Sequence, residues 1–175
     1  MNEDLIKLFS IPNIVVKIPT IWLLKNSMIN ENILYNAHLM VRYKTIESYI
    51  NNKNDWWDTY NRMQRVRVSQ KAIIPRNKAE NEQAFKDLID NIKKHGFSDE
   101  FPIVINNKFR LIDGSHRLAI ALFFKIPYVP VTMNEATISM DPEYSLNWFK
   151  ENGFLNIVDD IVNTYKKILM EENND

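Results

Sequence analysis

The chain predicts an α/β fold of the α+β kind, a small mixed sheet with packed helices. Three observations predict it. Apolar residues recur at helical spacing in several windows, as in Ala84, Phe85, Leu88, Ile89 and Ile92. Short apolar runs headed by proline, at 102–105 and 127–132, read as buried strands. A strand-like run at 109–112 passes through Asp113-Gly114-Ser115 directly into a helical stretch. With 175 residues, 45% of them hydrophobic, the chain holds material for one buried core and too little for two ordinary domains.

In chain order, Leu5, Ile6, Leu8 and Phe9 cluster apolar, and residues 14–18 read as a short strand closed by Pro19. Ile33, Leu34, Ala37, Met40 and Val41, continued by Ile46, Tyr49 and Ile50, recur at helical spacing. Residues 1–61 are therefore expected to form a mainly helical extension, which either covers the core or supplies an acceptor pocket. Residues 51–55 are polar and predict a loop. After Trp56, Trp57 and Tyr60, the alternation Arg65, Val66, Arg67, Val68 predicts a half-buried strand with its guanidinium groups on one face. That face either holds phosphate or carboxylate bidentately or is simply solvated.

The expected core spans 62–135. Asn81 or a neighbour opens its first helix, and Gly96 closes it just after Lys93, Lys94 and His95, whose charge suits a helix C-terminus. Asn106-Asn107 supplies the turn between the strand at 102–105 and its hairpin partner. Residues 117–124 form a short helix, and Pro127 starts the last strand. In 136–175, Ser145 or Pro142 opens a helix that contains Leu146, Trp148 and Phe149 and ends at Gly153. Leu155, Ile157, Val158, Ile161, Val162, Tyr165 and Ile168 then mark an amphipathic helix, with an acidic tail from Glu171 expected to fray. The three segments are expected to make one compact unit.

Twenty-two basic residues balance twenty-two acidic ones, which disfavours sequence-independent nucleic-acid binding. The absence of cysteine removes disulfides and thiolate chemistry, and three scattered histidines give no zinc spacing. Any metal is expected to be oxygen-liganded, such as Mg2+. Neither a signal-peptide pattern nor an apolar run of about 20 residues is present, so the expectation is a cytoplasmic protein with no membrane partner.

The chemistry concentrates at Asp113-Gly114-Ser115-His116-Arg117. A strand that turns directly into a helix aims several backbone N–H groups at one spot, and that spot suits an anion. Gly114, one of only three glycines, permits a tight turn and close approach of a phosphate. Ser115 adds a hydroxyl, His116 and Arg117 add donors for polyphosphate oxygens, and Asp113 can hold magnesium or orient an acceptor hydroxyl. Each also has a plainer reading. Asp113 can be an N-cap, His116 a satisfied helix-start histidine, and Arg117 an ion-pair partner.

Residues 66–131 resemble the ParB/sulfiredoxin superfamily: a helix ending in glycine, then Pro-Ile-Val-Ile, Leu-Ile-Asp-Gly-Ser-His-Arg-Leu-Ala and Ile-Pro-Tyr-Val-Pro-Val. In sulfiredoxins the place of Ser115 is a reactive cysteine, so the absence of cysteine excludes that activity. Chromosome-partitioning ParB proteins usually carry Gly-Glu-Arg-Arg at this turn, bind CTP there and add a DNA-reading module; neither feature is recognised here. Free serine kinases of the superfamily carry Asp-Gly-His-His-Arg, matched here by Asp113, Gly114, His116 and Arg117, with Ser115 as the departure.

The resemblance implies a cytoplasmic kinase that moves a phosphoryl group from ATP or ADP, with Mg2+, to a hydroxyl of an amino acid, polyol or sugar. Asp113, His116 and either Glu80 or Glu82 are the expected catalytic groups, a glutamate being the base in such kinases. Gly114, Ser115, His116, Arg117, Arg65, Arg67 and Arg76 are the expected phosphate contacts, and Asp113 the metal ligand. A nucleotide-controlled binding module related to ParB is the alternative class, with a nuclease behind it. A homodimer is left open.

Overall fold

The structure, a computed structural model, describes residues 7–9, 11, 14–26, 28–30, 33–71, 77–134 and 145–172. The expectations for Leu5, Ile6, Arg76 and Pro142 lie outside the described residues.

The fold is mixed α/β, built on a four-stranded sheet in the order β1-β6-β4-β5. Strand β1 (Val16–Pro19) runs antiparallel to β6 (Tyr128–Met133), which is parallel to β4 (Ile103–Ile105). Strand β5 (Leu111–Asp113) completes a hairpin with β4. Pro130 has no N–H to give, yet sits in an inner strand. It is tolerated because β6 pairs with β4 only from Val131 onward, and Pro130 faces Lys17 of the edge strand. The chain thus reaches back to the core within its first twenty residues. Ile18 joins the same buried cluster as Ile103, Val129 and Val131.

Two helices depart from the sequence reading. Ile33 and Leu34 lie in β3 (Ile33–Leu34), paired with β2 (Met28–Asn30), and helix α2 (His38–Ile50) starts only after them. Asn36 breaks the helical path with a positive φ of 56°. Short helix α1 (Thr20–Lys25) precedes this pair. The strand expected over Arg65, Val66, Arg67 and Val68 is the second half of helix α3 (Trp57–Lys71). Four alternating residues fit either period. What decides is the longer pattern Trp57, Tyr60 and Met63, buried at helical spacing, with Arg62 and Arg65 facing out.

Helix α4 (Lys78–His95) begins three residues before the expected Asn81. Asn77, in extended conformation, caps it by accepting the Glu80 N–H at 2.9 Å. Phe85, Ile89 and Ile92 form its buried face, while Ala84 points outward. Gly96, at φ 76°, ends it. In the β4–β5 turn, Asn106 Oδ1 accepts the N–H groups of Lys108 and Arg110, both at 2.9 Å, and Phe109 takes a φ of 58°. Strand β5 therefore starts at Leu111, later than the Phe109 read from the sequence.

Helix α5 (Ser115–Phe123) carries the chain from β5 over to β6 and packs against α2. Leu118 through Leu122 are all buried, so this short helix is enclosed on most sides. Ser145 caps α6 (Leu146–Glu151), and a 3-10 turn (Leu155–Ile157) leads into α7 (Val158–Glu172). Leu155 lies in that turn and is exposed, so the amphipathic helix starts after it. No described helix is long and apolar enough to cross a membrane.

Candidate functional site

The turn into α5 has the conformation that glycine allows. Gly114 is buried, with φ 93° and ψ 18°, and a Cβ there would lie 3.0 Å from Ile103 Cγ1 and 3.2 Å from Ile103 Cα. The first intrahelical bond runs from Leu118 N–H to Gly114 O at 2.8 Å. The amides of Ser115, His116 and Arg117 therefore have no acceptor within the helix, and the positive end of its dipole lies here.

Asp113 is not the cap. Its side chain is 73% exposed at the carboxyl end of β5, and one oxygen accepts from Arg117 Nη2 at 3.1 Å. Arg117, only 17% exposed, also donates through Nη1 to Pro102 O at 2.9 Å and to Phe101 O. These bonds lock the turn to the entrance of β4. The guanidinium is committed to the protein itself, as the plainer reading of Arg117 had it.

His116 turns inward instead. Its Nε2 lies 3.0 Å from Tyr60 Oη on α3, and its ring meets Phe85 of α4 edge-on at 4.7 Å. Burial first, then the charges of Arg42, Arg67 and Arg117, hold its pKa well below the ordinary histidine value. The imidazole is neutral near pH 7. His38, one helical turn from Arg42 on α2, is depressed by burial, Arg42, Arg67 and His116.

These shifts disclose a polar cluster inside the helical layer. Arg42 is 1% exposed, donates to His38 O at 3.2 Å, and lies 3.5 Å from Gln64 Oε1. Burial pushes the Tyr60 phenol up, opposed by Arg42 and then Gln64. Arg67 is partly buried beside them. Three of the expected site residues, Gly114, His116 and Arg67, thus come together with four that the sequence reading did not assign to the site: His38, Arg42, Tyr60 and Gln64. A legible signal existed for Arg42, a charge in the otherwise apolar run Leu39 to Tyr43.

Arg65 is exposed on the other side of α3, near Asp58 and Lys78. The two glutamates also separate. Glu80 is exposed in the first turn of α4. Glu82 is partly buried, accepts from Asn61 Nδ2 at 2.6 Å, and its charge reaches Tyr60. Lys78 and Lys86 flank it, each at 3.9 Å.

Among the described residues no group of three metal-ligating side chains occurs. Mg2+ does not require one, because it commonly takes one or two carboxylates and fills its shell with water and substrate phosphate. The exposed Asp113 beside a helix N-terminus fits that demand.

A separate cavity of about 350 Å³ opens at the far end of α5, lined by Tyr43, Leu122, Ile126, Pro127 and Ile168 among others. Its cation, Lys125, is paired with Glu171 at 3.2 Å, and burial with the charges of Glu171 and Glu47 pushes the Tyr43 phenol up to about 12. That lining is mostly apolar. In comparisons with family models, curated proteins and solved structures, nothing matches this chain.

Proposed function

We propose that the start of α5 binds the phosphates of ATP or ADP and that the protein transfers one phosphoryl group to a hydroxyl of a small polar metabolite. One observation carries the reading: the buried charge of Arg42 and the partly buried one of Arg67 act on His116 at a helix N-terminus, immediately after an exposed carboxylate at the end of a strand. Phosphoryl transfer asks a protein chiefly for positioning and charge stabilisation, and this arrangement offers both. The Asp-Gly-x-His-Arg resemblance to free serine kinases supplies the reaction class.

In this scheme the amides of residues 115–117 cradle phosphate oxygens while Arg42 and Arg67 supply the positive potential. Asp113 holds Mg2+, which would neutralise phosphate charge. Glu82 is favoured over Glu80 as the group that accepts the hydroxyl proton, because it alone of the two reaches the cluster. Arg117 acts by fixing the turn.

The test is donor consumption with ATP, ADP and CTP, plus Mg2+ and pooled serine, polyols and sugars, with product masses read by mass spectrometry. An acceptor that gains one phosphoryl group, and no longer does so in Asp113→Asn, is the expected result. Turnover retained in Asp113→Asn would sink the assignment. Tight nucleotide binding with no modified acceptor would instead favour the nucleotide-controlled binding module.

A further inference from the structure

The cavity at the far end of α5 holds about 350 Å³, within the range of small-molecule sites and with room for about ten non-hydrogen atoms. Four parts of the chain wall it: the start of α1, Tyr43 of α2, the passage from α5 into β6, and the end of α7. Ile21, Leu122, Ile126, Pro127 and Ile168 make most of that wall apolar. Tyr43 is the exception. The residue is only 7% exposed, yet its hydroxyl has no hydrogen-bond partner among the described residues. A buried hydroxyl normally finds one. Phe123 meets the Tyr43 ring edge-on at 5.3 Å and fixes the phenol in the wall.

We propose that this cavity is a second binding site, which takes a small neutral molecule with an apolar body and one hydrogen-bond-accepting oxygen placed at the Tyr43 hydroxyl. The nine residues of α5 separate it from the Gly114 turn by roughly 13 Å. The proposal therefore does not depend on the phosphate reading of that turn.

The charges at the mouth select a neutral ligand because they already satisfy one another. Lys125 Nζ lies 3.2 Å from one oxygen of Glu171, while Lys167 Nζ lies 3.9 Å from the other oxygen and 3.9 Å from Glu47. An ionic ligand would have to break these pairs or enter the apolar wall without a partner. Tyr43 is the donor in the contact. Burial, then the charges of Glu171 and Glu47, push its phenol up to about 12, so it keeps its proton at neutral pH. A carbonyl or ether oxygen can accept from it, whereas an anionic group at the same place would be repelled by the two carboxylates.

The experiment is amide and methyl NMR of the full chain titrated with acetophenone, its oxygen-free isostere α-methylstyrene, benzoate and benzylamine, probes of similar size. Acetophenone should shift Ile21, Leu122, Ile126 and Ile168 and bind about three- to tenfold more tightly than α-methylstyrene, the worth of one hydrogen bond. Benzoate and benzylamine should bind more weakly than either. Tyr43→Phe, which keeps the ring against Phe123, should remove the advantage of acetophenone and leave the affinity for α-methylstyrene unchanged. The comparison of probes on the wild-type chain decides the matter even if that variant folds poorly. Acetophenone that leaves the cavity residues unshifted at millimolar concentration, or binds no better than α-methylstyrene, would overturn the proposal. So would tighter binding of either ion. Shifts of the cavity residues that follow protein concentration alone would place a second copy of the chain there and overturn it as well.

Discussion

At its first turn α5 meets Tyr60, Phe85 and the charges of Arg42 and Arg67, whereas at its last turn it meets the apolar cavity of Tyr43, Ile126 and Ile168, closed by an exposed Lys125–Glu171 pair. One nine-residue helix thus separates two unlike environments. At one end positive charge is concentrated in a desolvated setting, where it acts strongly. At the other the cation is screened by solvent and by its own partner. Shape alone would favour the cavity as a ligand site. Charge and backbone geometry favour the turn.

The contrast can be broken most severely at Gly114. Gly114→Ala places a side chain at φ 93° and 3.2 Å from the Ile103 Cα, which is backbone and cannot yield. Stability should fall by about 1–3 kcal/mol from the strained conformation, read as a lower urea midpoint. Gly96→Ala, where a Cβ would meet nothing within 4 Å, should lose less.

Arg42→Met removes a buried cation but keeps an unbranched apolar side chain. Nucleotide affinity should drop by about tenfold or more, the worth of one charge-assisted hydrogen bond. The pKa values of His38 and His116 should both rise, because after burial the Arg42 charge is what most depresses each. Calorimetric titration and NMR pH titration check the two halves. Unmoved histidines would contradict the electrostatic picture of the cluster.

The same two histidines give stability a pH dependence of defined sign. Their folded pKa values lie below those of the unfolded chain, near 6.5. The unfolded state therefore binds more protons in mild acid, so stability is full above about pH 6.5 and is lost as pH falls toward the folded values. Urea midpoints on either side of that pH should show the decline, and Arg42→Met should flatten it.

The smallest effect is expected at the far end. Lys125→Ala removes an exposed ion pair worth about 0–1 kcal/mol and should leave nucleotide affinity unchanged. A large loss of affinity there would move the site to the cavity.

How much of this was legible in the sequence follows from how local each feature is. The Asn106 turn, the Gly96 stop and the strand-to-helix passage at Gly114 depend on neighbours a few residues apart, and the sequence carries them. The second half of α3 was misread because four alternating residues obey two periods, and only Trp57, Tyr60 and Met63 resolve them. Glu82 and Glu80 look equivalent in sequence, and packing of α4 on α3 separates them. The contact of Tyr60 with His116 and the charge of Arg42 beside it could not be read at all, because Tyr60 and His116 are 56 positions apart and Arg42 comes from a third helix. Contacts of that kind exist only once the helices have packed.

The most direct test of the central claim is a map of backbone amide NMR shifts on addition of ATP or ADP with Mg2+. The account predicts that the shifts centre on Gly114, Ser115, His116 and Arg117 and extend to Arg42 and Arg67. Shifts centred on Tyr43, Lys125 and Ile126, or no shifts with any nucleotide, would contradict it.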